Sequence, residues 1–270
     1  MPELPEVETT RIGLTPHVIK KKITKVIVRQ PNLRWLVPSD LENSLVGSSF
    51  EQLTRRGKYL FFHTERGRMM VHLGMSGSLR IVPVELDPRT HDHIDIYLDD
   101  AVILRYHDPR RFGSFFWLES DEGHKLLSNL GPEPLSSDFD GKYLFEISKK
   151  RKVTVKSLVM NSTVVVGVGN IYANESLFLS GINPNIKASR VSKKRYDRLA
   201  NQIKKVLRAS IRSGGTTLRD FVREDGNPGY FKQRLFVYGR SGYPCKVCES
   251  PIKQKRINNR STFFCRTCQS

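Results

Sequence analysis

The hydrophobic pattern of this 270-residue chain changes period once, and that change constrains the fold more than any other feature. Between about 23 and 118 the apolar residues come in short runs: ITKVIV, YLFFH, RMMVHL, SLRIV, HIDIYL, AVILRYH and FGSFFWL. Each is rich in β-branched or aromatic residues and bounded by polar breaks, which marks strands. Seven or so closely spaced strands predict a sandwich or barrel. Asp99-Asp100 is a hairpin turn candidate between two of them. The segment GPEPLSSDFDG (131–141) is rich in Pro, Gly, Ser and Asp and reads as a boundary. Beyond it the period becomes helical. In 192–213 the apolar positions are Tyr196, Leu199, Ala200, Ile203, Val206, Leu207 and Ile211, close to 3.6 residues apart. Ser192 suits an N-cap there, and Gly214-Gly215 a stop. A first helix is predicted over 3–14, with Pro5 in its first turn and Glu3, Glu6 and Glu8 at the positive end of its dipole. The chain therefore reads as an α+β protein of several parts: a β-domain over 1–131, a linker over 132–150, a helical domain over 151–235 and cysteine-bearing hairpins over 236–270. The segment 216–231, mixed and marked by Gly and Pro, reads as a mobile loop.

Charge follows the same division. The 45 Lys and Arg and 27 Asp and Glu give a net +18. Residues 1–150 carry 21 of each sign, whereas 151–270 carry 24 basic and 6 acidic side chains. The excess thus lies wholly in the last 120 residues. A neutral module followed by a strongly basic one points to a polyanionic partner, a nucleic acid or an anionic surface. No apolar run approaches the length of a membrane span. The acidic opening MPELPEVETT has neither the basic nor the apolar region of a signal peptide. A cytoplasmic protein with no membrane partner is expected.

All four cysteines fall in the last 26 residues, as Cys245-x2-Cys248 and Cys265-x2-Cys268 with 16 residues between the pairs. Two such turns bring four thiolates into a tetrahedron around one Zn²⁺. Four protein ligands leave no position for water, so the ion is expected to be structural. The alternative, two disulfides, needs an oxidising compartment. Lys253, Lys255, Arg256 and Arg260 lie between the pairs, so the hairpin reads as a rigid mount for phosphate-contacting cations. Phe263 and Phe264 are expected to pack its small core.

Pro2 follows the initiator methionine. Small second residues allow that methionine to be removed, which exposes a secondary amine. An α-amino group titrates near 7.7–8.0, well below lysine, so a useful fraction is uncharged and nucleophilic at neutral pH. A secondary amine is more basic, but an adjacent helix N-terminus disfavours its cation. Attack on a carbonyl-like carbon would give an iminium, an electron sink. Glu3 beside it is placed to act as general acid. On composition alone an ordinary leader into a helix, with a capping glutamate, is the stronger reading of the same residues.

Ten blocks in order then identify a family. They are PELPEVET, RRGKYL (55–60), HLGMSGSLR (72–80), HDH (91–93), DPRRFG (108–113), LGPEPL (130–135), VVGVGNIYANESLF (165–178), GGTTLRDF (214–221), VYGR (237–240) and the CxxC pairs. Together they resemble the bacterial formamidopyrimidine-DNA glycosylases over essentially the whole chain. The resemblance implies an N-terminal β-sandwich with a leading helix, a helical domain with a helix-two-turn-helix, and a zinc-finger β-hairpin. It implies a bifunctional base-excision repair enzyme, a glycosylase and abasic-site lyase acting on oxidised purines in double-stranded DNA. A bacterial protein, nucleoid-associated through DNA and monomeric, is expected.

Roles follow position by position from the resemblance. Pro2 is the expected nucleophile, Glu3 the proton donor, Lys58 a second acid, and Arg260 the zinc-finger arginine at the lesion phosphate. Met75, Arg110 and Phe112 match a trio that fills the void left by a flipped base. Taken alone, Met75 and Phe112 would read as core. Lys156, Asn170, Arg151 and His91 match DNA-contacting positions. Asn170 leads into a helix whose backbone amides suit phosphate. His72 and His93 contact phosphate or serve structure. The 216–231 loop matches a segment that closes over the flipped base, and Glu6 lies near that pocket. Three other readings fit parts of the sequence: an endonuclease VIII-type glycosylase for oxidised pyrimidines, a non-catalytic damage-binding protein, and a zinc ribbon fused to an unrelated β-domain. The leucine of PELPE, with HLGMSG and DPRRFG, favours the purine enzyme.

Overall fold

The protein is described here by a computed structural model covering residues 2–99, 102–119, 124–214 and 235–270. These residues form two compact units, one from 2–124 with 211–214 and the other from 125–210 with 235–270.

The first unit opens with α1 (Leu4–Val18). It runs one turn beyond the expected end despite Pro16, because Leu14 and Val18 are fully buried and hold that turn against the core. Proline removes an amide donor, but the Thr15 hydroxyl donates to the Arg11 carbonyl at 2.7 Å in the same turn. Two antiparallel sheets follow. One has the order β1 (Ile23–Val28), β6 (Asp92–Leu98), β7 (Val102–His107), β5 (Ser78–Pro83). The other runs β2 (Gln52–Arg56), β3 (Tyr59–Thr64), β4 (Gly67–His72), β8 (Ser114–Leu118). Every predicted strand is present. The β6–β7 hairpin pairs Leu98 with Val102, while Asp100 of its proposed turn lies outside the described residues. A short helix α2 (Leu41–Leu45) and strand β2 were not expected from the sequence. β2 reads QLTRR and buries only Leu53, so its alternation is faint; pairing with β3 from Gln52↔His63 to Arg56↔Tyr59 fixes it. One core unites α1 with both sheets through Leu14, Phe50, Phe62, Val71, Ile94 and Phe115. Each such side chain contributes about 1.5–3 kcal/mol of burial.

Ion pairs also lie inside this unit. Arg105 reaches Asp95 at 2.8 Å and Arg80 reaches Asp92 at 2.6 Å, with all four side chains nearly inaccessible. Arg29 and His107 complete the group on Asp95 and Asp92.

The second unit is helical. Residues 132–150, expected as a linker, carry α3 (Gly141–Ser148), capped by Asp140, and bury Phe139 and Leu144 in the helical core. Its Pro- and Ser-rich start masked the short apolar stripe that follows. Next come α4 (Val155–Val159) and α5 (Asn170–Leu179), joined by the turns of 160–169, and then α6 (Lys193–Gly214). In α6 Tyr196, Leu199, Ala200, Ile203 and Leu207 are buried as the spacing predicted. The antiparallel hairpin β9 (Lys253–Ile257) and β10 (Arg260–Phe264) closes the chain. Asn258 and Asn259 both adopt positive φ (46° and 58°), the backbone of a tight two-residue hairpin turn. Phe263 joins Phe178, Val237, Ile252, Cys245 and Cys265 in a small core, and Phe264 is buried as well. The proposed loop at 216–231 lies outside the described residues. Among the described residues no helix is long and apolar enough to cross a membrane.

Candidate functional site

In the first unit, Pro2 is partly exposed and Glu3 is buried directly before α1. Glu3 is the N-cap, and its backbone amide donates to the Glu6 carboxylate at 2.7 Å in a capping box. Glu6 is thus engaged by the backbone at the foot of the same helix. Lys58 occupies the β2–β3 turn after Gly57, whose φ of 58° favours glycine. Arg55 joins these two places. Its Nε donates to Glu8 of α1 at 2.8 Å, and its Nη1 donates to the Gly57 carbonyl at 2.8 Å. Burial alone would raise the Glu8 carboxyl, but hydrogen bonds from Arg11 and Arg55 outweigh it and hold the group below its ordinary range. Arg55 had no role in the sequence reading, although it lies within RRGKYL.

His72 ends β4 opposite Tyr59, with the rings 4.9 Å apart. Burial, followed by the charges of Lys58 and Arg34, pushes its imidazolium down to about 4. It is therefore neutral at neutral pH. Its Nδ1 accepts from the Gly74 amide at 3.0 Å, which leaves the proton on Nε2. His93 is buried and its Nε2 lies 2.9 Å from the Asp108 carbonyl, so it serves structure. His91 is exposed, its ring 6.2 Å from that of His93 and 6.0 Å from that of His107.

Met75 and Phe112 stand outside the core. Met75 is half-buried in the turn after β4, and Phe112 is 41% exposed. The Arg110 guanidinium lies 4.8 Å over the Phe112 ring, a cation–π contact that keeps the two side chains together. An exposed aromatic stacked with a cation suits contact with a nucleobase.

In the second unit Lys156, Asn170 and Arg260, three of the residues predicted to contact DNA, converge on the hairpin. Lys156 is 1% exposed, and its Nζ donates to the Ser261 carbonyl at 3.0 Å and to Thr262 Oγ1 at 2.7 Å. Asn170, at the start of α5, donates to the same Ser261 carbonyl at 2.9 Å. Arg260 is exposed immediately before Ser261, at the first position after the turn. Asn258 Nδ2 donates to Ser157 Oγ at 2.9 Å, which pins the turn to α4. A cavity of about 190 Å³ opens here beside Lys156, Met160, Asn161 and Arg260. Arg151 is exposed apart from this cluster's hydrogen bonds.

Two further α5 residues carry this arrangement and were missed. Asn174 accepts from the Phe263 amide at 2.8 Å. Glu175 is buried and accepts from the amides of Phe236, Val237 and Tyr238 at 2.8, 3.0 and 2.9 Å. Both lie inside a block singled out from the sequence. Bonds to backbone leave no spacing pattern to read.

The four cysteine sulfurs lie within 4.8 Å of one another. The Cys248–Cys265 and Cys245–Cys268 sulfurs are 3.4 and 3.9 Å apart. Zinc–sulfur bonds of about 2.3 Å in a tetrahedron require separations near 3.8 Å. All four are free thiols rather than disulfides. The set fits a single structural Zn²⁺ held by Cys245, Cys248, Cys265 and Cys268.

Comparison with known proteins decides the family. The N-terminal domain of formamidopyrimidine-DNA glycosylase matches residues 1–115. Its helix-two-turn-helix domain matches 130–222, and a zinc finger found in these glycosylases and in isoleucyl-tRNA synthetase matches 242–270. A formamidopyrimidine-DNA glycosylase of Marinobacter nauticus is 54% identical over 269 residues, covering 100% of both chains.

The chain belongs to the formamidopyrimidine-DNA glycosylase family.

Another formamidopyrimidine-DNA glycosylase, from Thioalkalivibrio sulfidiphilus, is also 54% identical over both full chains. Among solved structures, a Lactococcus lactis Fpg variant in complex with Fapy-dG-containing DNA aligns with TM-score 0.91 and 31% identity, covering 100% of each chain. The MutM (Fpg) protein of Thermus thermophilus aligns with TM-score 0.85 and 37% identity, over 99% of this chain and 98% of that one. The β-sandwich, helix-two-turn-helix and zinc hairpin are thus those of formamidopyrimidine-DNA glycosylases.

Proposed function

We propose that the protein removes oxidised purines, chiefly 8-oxoguanine and ring-opened formamidopyrimidines, from double-stranded DNA and then cuts the abasic strand. The placement of Pro2 and buried Glu3 at the foot of α1, joined through Glu8 and Arg55 to the turn bearing Lys58, carries this reading. The Pro2 amine, freed by removal of Met1, attacks C1′ of the damaged nucleoside as the bond to the base breaks. The α1 dipole disfavours the ammonium form and keeps the nitrogen nucleophilic. Glu3 protonates the sugar ring oxygen as the ring opens, and the resulting iminium acidifies the 2′ proton. Successive β- and δ-elimination follow, with Lys58 as an acid and Arg260 holding the lesion phosphate and donating in the second elimination. The base must leave the stack first, and Met75, Arg110 and Phe112 take its place. Lys156, Asn170, Arg151, His91 and His72 contact the backbone; neutral His72 donates from Nε2. Zinc-bound cysteines hold the hairpin that presents Arg260. We assign the protein to the bacterial cytoplasm as a monomer that scans DNA through its basic half.

Borohydride trapping tests this reading. An 8-oxoguanine:C duplex should yield a covalent adduct through Pro2, and a thymine-glycol duplex much less. No adduct would refute catalysis, and the reverse preference would refute purine specificity. Intact mass of an active preparation should lack Met1.

A further inference from the structure

We propose that Asp108 is the positioning residue that locks the Met75 loop and the Arg110–Phe112 loop into one body, so that the two enter the DNA stack as a single wedge. The proposal rests on the reading of Met75, Arg110 and Phe112 as void-filling side chains. Asp108 is fully buried, and its carboxylate collects four hydrogen bonds from neutral donors. Oδ1 accepts from the Ser76 hydroxyl at 2.6 Å and from the Arg110 amide at 3.3 Å. Oδ2 accepts from the Tyr106 hydroxyl and the Gly113 amide, each at 2.9 Å. One oxygen thus joins the residue after Met75 to the residue that carries the guanidinium. The other closes the far end of the second loop, one residue beyond Phe112.

The backbone agrees with this division. Gly74 has φ 66°, and a Cβ there would strike the Phe112 carbonyl, so the two loops touch main chain to main chain. A Cβ at Gly113 would strike the Tyr106 hydroxyl. Arg111 lies in the left-handed region at φ 55°, and across it Arg110 covers the Phe112 ring. A carboxylate can accept from four donors, whereas an amide of the same shape turns an N–H pair toward two of them. Loops fixed before binding lose less freedom on insertion than loops that must order on DNA.

Ser76→Ala removes the one side-chain bond between Asp108 and the Met75 loop. Single-turnover base removal from an 8-oxoguanine:C duplex should fall roughly tenfold, as expected for one bond to a charged acceptor. Cleavage of a preformed abasic site in single-stranded DNA, which needs no stack opening, should be unchanged, and the melting temperature should fall by no more than a few degrees. Ser76→Thr, which keeps the hydroxyl, should restore the duplex rate. Met75→Ala and Phe112→Ala should be strongly non-additive with Ser76 present and additive in Ser76→Ala. Asp108→Asn should show the same split between duplex and single strand with a larger loss. Equal losses on both substrates would reduce the hub to fold support and overturn the proposal. No loss on either, or additivity with Ser76 intact, would overturn it as well. If Met75→Ala and Phe112→Ala leave duplex base removal intact, the void-filling reading itself fails and the proposal falls with it, a result distinct from the others.

Discussion

The two units use the same basic residues in opposite ways. In the sandwich, Arg80 and Arg105 point inward and are paired with Asp92 and Asp95. In the helical unit, Lys193, Lys194, Arg198, Lys205 and Arg208 line the exposed face of α6, and Lys253, Lys255 and Arg256 stand exposed on β9. Buried charge fixes one geometry, because breaking such a pair leaves an uncompensated ion inside. Exposed charge fixes little locally, yet it holds any polyanion through sequence-blind, salt-sensitive contacts. On the proposed assignment, chemistry that needs sub-ångström placement sits mainly on the neutral unit, and grip on the basic one. The exception is instructive. Lys156 is a basic residue of the second unit turned inward, and it donates to hairpin atoms, the Ser261 carbonyl and Thr262 Oγ1.

Separating the units experimentally sharpens this contrast. The largest effect is expected from Glu3→Gln, which should slow base removal by roughly 10²–10⁴ while leaving affinity for lesion duplex near the parent value. Single-turnover kinetics beside a gel-shift titration checks it, and a parallel loss of binding would erase the division between chemistry and grip. Cys248→Ser should empty the zinc site and lower DNA affinity on the order of 100-fold as the backing of Lys156, Asn170 and Arg260 is lost. Metal analysis and binding should fail together; unchanged binding without zinc would break the link. A smaller effect should follow Arg151→Ala, which lowers the slope of log affinity against log salt by about 1. Arg29→Ala, whose charge is already engaged by Asp95, should leave that slope alone.

The smallest effect concerns pH and belongs to the first unit. His72 is held down to about 4 in the folded protein, against about 6.5 when unfolded. Between those values the unfolded chain binds more protons, so the contribution of His72 is complete above about 6.5 and declines as pH falls toward 4. Thermal melts across that interval should show a loss on the order of 1 kcal/mol that His72→Gln lacks. A loss of the same size in both proteins would place the pH dependence elsewhere.

Much of the fold was legible because periodicity reports burial. All seven strand-like runs and the long α6 follow their apolar spacing. β2 was not legible, since four of its five residues are polar and its place is set by the neighbouring strand. α3 was hidden because turn-forming residues precede it closely. At the site, short motifs pointed to Pro2, Glu3, Lys58 and the cysteines, whose chemistry depends on residue type. Arg55, Asp108, Asn174 and Glu175 stayed silent, because they act on backbone atoms or on neighbours far away in sequence. The burial of Lys156 was equally hidden, since a lysine beside a β-branched residue on a short helix carries no sign of its partner 105 residues on.

Helix α5 grips the zinc module by its main chain. α5 takes hold of the Ser261 carbonyl and the amides of Phe263 and of 236–238. None of these bonds asks what side chain the hairpin carries at those positions. Docking on α5 therefore imposes its sequence requirement on the receiving helix, while the hairpin adds two side chains of its own, Thr262 against Lys156 and Asn258 against Ser157. Over evolutionary time the remaining outer face of the hairpin is free to drift and to retune its hold on a polyanion, provided that Asn170, Asn174, Glu175, Asn258, Arg260, Thr262 and the cysteines persist.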